Sequence, residues 1–425
     1  MPSPNSDISA RLLSLVQDGD RLFIGTGAGE PRTLIHSLVE DVLPRRKNIE
    51  LVQVSVGGSE AITTVDRRHG HRVRLIAGGR LGNAALGTGD AELMPASMGT
   101  LARMIADGSL PVSGALVAGV RSADGSAVSP GLSLDLGPAA AHAARFRALE
   151  LNAALPRTRA ADWLRESDCE LVAETDEPPP TMERGTVNET QRAIGVHVAR
   201  LVPSGSTVEL GIGQGLRGVA AALAGRESGF RISLHTGLIT DDVRDLVEAG
   251  IVAGPACRTR QAPVVATVAC GSADFYRWLS DNPSVHLVDS SEAHQTRHLM
   301  NIGRFMAINS ASQIDLLGQV GSRTRSGAVG GGGLPDFATA GAHSAGSVIA
   351  LESRTRHGTS RIVARLPFPQ LHASSVTHIV TEYGAAELRG ATAAERAERI
   401  IAVAHPADRD GLRTALAEAD RRQEV

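Results

Sequence analysis

Three observations predict an α/β fold built from two similar open units of mainly parallel sheet. Short apolar runs alternate with segments of helical period along most of the chain, the pattern of strands joined by crossover helices. A strand running into closely spaced glycines and then a helix occurs twice, at Leu22-Phe23-Ile24-Gly25-Thr26-Gly27-Ala28-Gly29 and at Val208-Glu209-Leu210-Gly211-Ile212-Gly213-Gln214-Gly215. Aromatics are 3% of the residues against 42% hydrophobic overall, so the core must be aliphatic and Ala/Gly-rich, as close helix-on-sheet packing requires. The 425 residues suffice for two or three such units.

The elements follow in order. Arg21 to Gly25 reads as a strand, Pro31 to Val42 as a helix, and Ile49 to Val56 and Val73 to Ala77 as further strands. At Asp176-Glu177-Pro178-Pro179-Pro180 the composition turns acidic and proline-rich, which continues neither a helix nor a central strand, and the boundary is placed there. Residues 1–180 form the expected N-terminal unit and 181–425 the C-terminal one. The second half restarts the alternation with a helix near Asn188 to Leu201, a strand Thr207 to Gly211 and a helix Leu216 to Leu223. A strand Phe230 to Leu234 and a helix Asp241 to Glu248 come next, then strands near Val264 to Ala269 and Val285 to Val288. The related openings suggest a duplication.

Charge and rare residues narrow the function. The 43 basic and 46 acidic residues leave a net charge of -3, so nothing draws the whole chain to nucleic acid or an anionic membrane. A single lysine, Lys47, leaves Schiff-base chemistry and a phosphate-binding P-loop lysine almost nothing to use. Cys169, Cys257 and Cys270 are too scattered for a disulfide framework or a four-cysteine zinc site, which fits a reducing cytoplasm. Met1 to Asp20 lacks a basic n-region followed by an apolar run, so no export signal is expected, and no uncharged apolar stretch reaches the roughly 18 residues a span needs. The expected partner is a small molecule.

The motifs point to backbone chemistry. A strand ending in glycines before a helix presents free N–H groups with no Cβ in the way, a setting for an anion or a polarised carbonyl. Gly213-Gln214-Gly215-Leu216-Arg217-Gly218 satisfies the Gly-x-Gly-x-x-Gly dinucleotide pattern, but the next strand ends His235-Thr236-Gly237, without the acid that would bind a ribose. A tight turn with no ligand remains the bland alternative. The run Gly330-Gly331-Gly332-Gly333-Leu334-Pro335-Asp336-Phe337 leads straight into apolar sequence, which favours a functional loop over a linker. No Gly-x-Ser-x-Gly elbow or His-Glu-x-x-His is present. His294 and His298 are spaced to share a metal but lack a third ligand, so an exposed polar helix face is expected and no metal site. Asp66, His69 and His71 read as a surface turn.

With these segments in place, the sequence resembles the acetyl-CoA hydrolase/transferase family, class I CoA-transferases that include 4-hydroxybutyrate, butyrate and acetate CoA-transferases. The similarity runs from about residue 20 to 415 and is most specific at Val380-Thr381-Glu382-Tyr383-Gly384-Ala385-Ala386-Glu387-Leu388-Arg389-Gly390, continued by Glu395-Arg396-Ala397 and Ile401-Ala402-Val403-Ala404-His405-Pro406. Gly27-Ala28-Gly29-Glu30-Pro31, Ile308-Asn309-Ser310-Ala311, Asp315-Leu316-Leu317-Gly318-Gln319-Val320 and the loop ending Asp336-Phe337 match in the same order. The resemblance implies an active site between the two units, acyl-CoA as substrate with no permanently bound cofactor, and a small acceptor such as a carboxylate. It places CoA at Gln214, Gly215, Leu216, Arg217 and Gly218, and the thioester against Gly330, Gly331, Gly332 and Gly333. A cytoplasmic homo-oligomer is expected.

One departure outweighs the agreements. The family carries a His-Thr-Glu motif whose glutamate becomes a glutamyl-CoA thioester; here the residues are His235, Thr236 and Gly237. Leu216 also stands where the family usually has proline. Three readings follow: direct transfer of CoA or an acyl group between bound partners, acyl-CoA hydrolysis with His235 or Glu209 as general base, or acyl-CoA binding without turnover. Glu209 and His235 are the candidate catalytic side chains, while Glu382 is expected to pair with an arginine such as Arg389.

Overall fold

The computed structural model describes residues 4–56, 65, 67–76, 80–255, 261–321 and 332–423. Strands β1 (Arg21–Ile24), β2 (Glu50–Gln53), β3 (Arg72–Leu75), β4 (Glu92–Leu93), β5 (Gly114–Arg121), β6 (Val128–Ser129), β7 (Phe146–Asn152) and β8 (Leu171–Thr175) make the first sheet. Its order is β4-β3-β2-β1-β5-β7-β8, parallel throughout, with β6 antiparallel on β5.

In the second half the strands are β9 (Ser206–Leu210), β10 (Ile232–His235), β11 (Leu238–Ile239), β12 (Val264–Ala266), β13 (Val268–Ala269), β14 (Val285–Leu287) and β15 (Phe305–Ser310). They continue as β16 (Gln313–Asp315), β17 (Val320–Gly321), β18 (Gly346–Ala350), β19 (Ile362–Val363), β20 (His378–Thr381) and β21 (Gly384–Glu387). The second main sheet runs β14-β12-β10-β9-β15-β18-β20-β21, parallel except for the last pair. Both sheets grow outward in both directions from one central pair, β1/β5 in the first and β9/β15 in the second. Such a reversal of strand order opens a crevice at the carboxyl ends of the central strands, where open α/β sheets bind ligands.

The sequence reasons for these elements are visible locally. The strands Leu22 to Ile24 and Val208 to Leu210 are buried on both faces, which explains near-continuous apolar runs in place of alternation. Asn188 caps the helix Glu189–Leu201 by accepting from Gln191 N, and Gln191 returns the bond to the Asn188 N–H. Thr240 caps Asp241–Glu248. The predicted strand Val264 to Ala269 is broken at Thr267: its N–H and that of Val268 both donate to the Gly237 carbonyl. The proline-rich connection runs back over the second half, with the Tyr276 hydroxyl donating to Pro180 O at 2.7 Å and Met182 N to Gly271 O. No helix among the described residues is long and apolar enough to cross a membrane.

The two halves meet through Asp135, which is buried and adopts φ +41°. Its carboxylate accepts from Thr26 Oγ1 at 2.8 Å in its own half and from Ser290 Oγ at 2.6 Å in the other. Ser290 N also donates to the Asp135 carbonyl. Burial raises the Asp135 pKa despite both hydroxyls.

Candidate active site

The two glycine turns, alike in sequence, differ in environment. In the first, Gly27, Ala28 and Gly29 are all buried, and a Cβ at Gly29 would stand 3.1 Å from Ser133 Cβ. That turn is filled by its own half. The second turn opens onto a cleft of about 510 Å³ between the halves, lined by Val54, Ser55, Met98 and Asp135 from the first and by the ends of β9, β10, β15 and β18 from the second.

Glu209, Leu210, Gly211 and Gly215 reach this cleft. Gly215 is glycine because its neighbour is backbone: a Cβ would meet Ala350 O at 2.8 Å. Gly218 does not line the cleft. Its absent Cβ would stand 2.0 Å from Gln191 O, and that of Gly195 2.2 Å from Gly218 O, so these two glycines let the helices Glu189–Leu201 and Val219–Ala224 interlock. Leu216 is buried, and Arg217 is exposed and packs on Gly185. Of the predicted CoA turn, Gly215 therefore faces the cleft, Leu216, Arg217 and Gly218 lie behind it, and Gln214 is part of the short 3₁₀ turn Gln214–Leu216. Of the later glycine run, Gly332 and Gly333 line the cleft; Gly330 and Gly331 lie outside the described residues.

Glu209 is buried and lines the cleft, with Asn309 Nδ2 donating to its Oε2 at 2.6 Å across the β9/β15 pair. Burial raises its pKa to about 8, only partly offset by that bond, so it is protonated at neutral pH and donates a proton more readily than it takes one. His235 sits elsewhere. It is fully buried at the end of β10, its Nε2 is 3.1 Å from Ala293 O, burial lowers its pKa to about 4, and it is not among the cleft-lining residues.

Gly237 follows as bare backbone in the cleft wall. Three donors hold its carbonyl: Thr267 Oγ1 at 2.6 Å, Thr267 N and Val268 N. A Cβ there would make only ordinary contacts, at 3.5 Å to His294 Cε1, 3.6 Å to His294 Nε2 and 3.6 Å to Phe337 Cε2. Sequence reasoning missed this neighbour. His294, expected on an exposed polar face, is 3% exposed and lines the cleft with its ring 4.6 Å from that of Phe337. The reason is that it ends the helix Ser290–Ala293, anchored by Ser290 to Asp135, and turns inward. His298 is half-buried against His235, at 6.1 Å between ring centres. Among the described residues no group of three or more His, Cys, Asp or Glu is placed to hold a metal ion.

Two other expectations are corrected. Glu382 accepts from Ser353 N and Oγ, while Arg389 donates to Ala345 O, because β20 ends beside the Ser353 turn. His71 is buried between Ile49 N and Leu43 O, His69 keeps an exposed position, and Asp66 lies outside the described residues.

Residues 271–416 match the family described as the acetyl-CoA hydrolase/transferase C-terminal domain. The 4-hydroxybutyrate coenzyme A transferase of Clostridium kluyveri is 28% identical over 411 residues, 95% of each chain. The succinyl-CoA:cyclohexane-1-carboxylate CoA transferase of Geobacter metallireducens is 31% identical over 282 residues, 64% of this chain and 63% of that one. The crystal structure of RipA from Yersinia pestis superposes with a TM-score of 0.86 over 98% of this chain and 97% of its own, at 23% identity. Residues 271–416 thus match the acetyl-CoA hydrolase/transferase C-terminal domain, and along nearly its whole length the chain is similar to CoA-transferases.

Proposed function

We propose that this protein transfers CoA or an acyl group from a small acyl-CoA to a carboxylate or another small acceptor without forming a glutamyl-CoA intermediate. The observation that carries the reading is Gly237: where the resemblance puts the nucleophilic glutamate, the cleft wall is bare backbone. The thioester lies against Gly332 and Gly333 at the N-terminal end of the helix Leu334–Ala342, where backbone N–H groups and the helix dipole favour a carbonyl that is gaining negative charge. Protonated Glu209 donates a hydrogen bond to that oxygen, with Asn309 fixing its orientation. Arg361 is the one arginine or lysine on the described cleft wall; its Nη1 donates to Ser312 O and its positive charge faces a phosphate of CoA. The active form is proposed to be a homo-oligomer in the cytoplasm, with no resident cofactor.

The test is incubation of the protein with short acyl-CoAs, with and without carboxylates, alcohols and amines, following free thiol and product mass. Acceptor-dependent product supports transfer. Acyl-CoA binding with no turnover under any acceptor overturns the reading and leaves a binding protein.

A further inference from the structure

We infer that His294 is the general base of this cleft, positioned by Asp336, and that the acceptor it serves is a neutral X–H nucleophile, water or a hydroxyl compound, in place of a carboxylate anion. The inference rests on the proposal that acyl-CoA occupies this cleft, and it specifies the chemistry of the second substrate.

Three glycines from three distant segments shape the space His294 occupies. A Cβ at Gly333 would stand 2.5 Å from His294 Cε1, and one at Gly99 2.5 Å from the His294 carbonyl, both closer than side chains pack. Gly237 completes the ring's surroundings, with His294 Nε2 3.6 Å from the position a Cβ would take there. The imidazole edge thus lies beside the position from which a family glutamate side chain would project. The opposite ring nitrogen, Nδ1, has no hydrogen-bond partner among the described residues and lies 3.7 Å from Asp336 Oδ2. Asp336 is itself buried and anchored, accepting from Gly99 N at 3.1 Å.

A base, its partner and an open face next to a thioester site form the arrangement that activates weak nucleophiles. A carboxylate acceptor is already anionic and needs no base. Burial holds the His294 pKa down, to about 3, so the resting ring is neutral and takes a proton only with the support of a neighbouring negative charge. The titratable groups facing it are Asp336 from the helix Leu334–Ala342 and His235 from β10, while the helix Met98–Ala106 presents backbone at Gly99. Glu292 and His298, on its own segment, act on His235. Burial raises Asp336 to about 6. Above that pH its charge faces Nδ1 and stabilises the imidazolium that forms when Nε2 takes a proton.

The step balances. His294 Nε2 accepts the proton of X–H as X bonds to the thioester carbonyl carbon; the C–S bond then breaks and the proton passes from Nε2 to the leaving sulfur. Acyl-CoA and X–H become acyl-X and CoA thiol, and the protein is unchanged.

The experiment compares wild-type protein with His294→Gln and Asp336→Asn, measuring thiol release from acetyl-CoA with no added acceptor, with small alcohols and with acetate or succinate. Acyl-CoA affinity is read separately, from the shift in thermal unfolding. Turnover with water or a hydroxyl acceptor is expected, falling about 100-fold or more in His294→Gln with affinity within a few-fold of wild type. The wild-type kcat/KM for that reaction should rise with pH through about 6, and Asp336→Asn should lose this limb. Turnover that needs a carboxylate and survives in His294→Gln overturns the inference and spares the transferase reading. Absence of turnover with every acceptor overturns both. If His294→Gln does not fold, the acceptor preference of the wild type decides alone: water or hydroxyl turnover supports the inference, and exclusive use of carboxylates overturns it.

Discussion

Alanine at Gly333 and alanine at Gly237 differ by one methyl group placed on either side of the same imidazole, and the contacts predict opposite outcomes. Gly333 has φ -78° and ψ -13°, which alanine adopts freely, so the backbone favours the change at 333. Removing a glycine contributes about 0.4–1 kcal/mol by restricting the unfolded chain. At 333 the new Cβ would meet His294 Cε1 at 2.5 Å and Phe337 Cε2 at 2.6 Å, two rings packed on each other and unable to withdraw separately. Overpacking of this kind costs about 1–3 kcal/mol, so Gly333→Ala should lose about 1–2 kcal/mol net. At 237 the nearest atoms are 3.5 Å away, so Gly237→Ala should be neutral or slightly stabilising. Thermal unfolding reads the difference at roughly 2–4 °C per kcal/mol for a unit of 150–250 residues. Thiol release should fall in Gly333→Ala, where the ring is displaced. Gly333→Ala with wild-type melting and wild-type turnover would refute the placement of His294.

Three further outcomes follow from the same contacts. Glu209 titrates at about 8 in the folded protein against 4.5 unfolded, so the folded state holds the extra proton and stability falls as pH rises through that window. Glu209→Gln should flatten the fall between pH 6.5 and 8, measured as the denaturant midpoint against pH; an unchanged slope contradicts the buried protonated acid. Asp135→Ala strips the partner from two buried hydroxyls, Thr26 and Ser290, and should destabilise by about 2–4 kcal/mol in urea unfolding, with Asp135→Asn costing less. Gly218→Ala drives a Cβ onto Gln191 O and should cost more than about 2 kcal/mol by the same assay; equal stability would return Gly218 to a ligand-binding role.

The strands of both sheets were legible because each is buried on two faces and leaves an uninterrupted aliphatic run, as at Leu22 to Ile24 and Val264 to Ala266. The cleft was legible through glycine: Gly211 and Gly215 end β9 at the reversal of strand order, and Gly237 and Gly333 mark the walls. What glycine does at each place was hidden, since a missing Cβ looks the same whether a ligand, a carbonyl or an imidazole fills the space. Gly218 serves Gln191 O, and Gly333 serves His294. His294 escaped notice because its segment, Glu292 to His298, is polar, and only the anchoring of Ser290 to Asp135, 155 residues earlier, turns it inward. Glu209 was legible as a candidate beside the glycine turn, but its protonation depends on how completely Asn309 and the sheet exclude water around it. His235 stands next to the informative Gly237 and is spent on Ala293 O.

On the proposed reading, thioester chemistry proceeds here with no CoA attached to the protein. The direct measurement is the intact mass of the protein quenched during turnover of a short acyl-CoA, alongside Gly237→Glu, whose new side chain starts from an uncrowded Cβ position. The account predicts unmodified wild-type mass while acyl-CoA is consumed, and a CoA-sized increment, removable by hydroxylamine, that can form only in Gly237→Glu. A CoA adduct on the wild-type chain during turnover would contradict it, because another carboxylate would then be doing what the missing glutamate does.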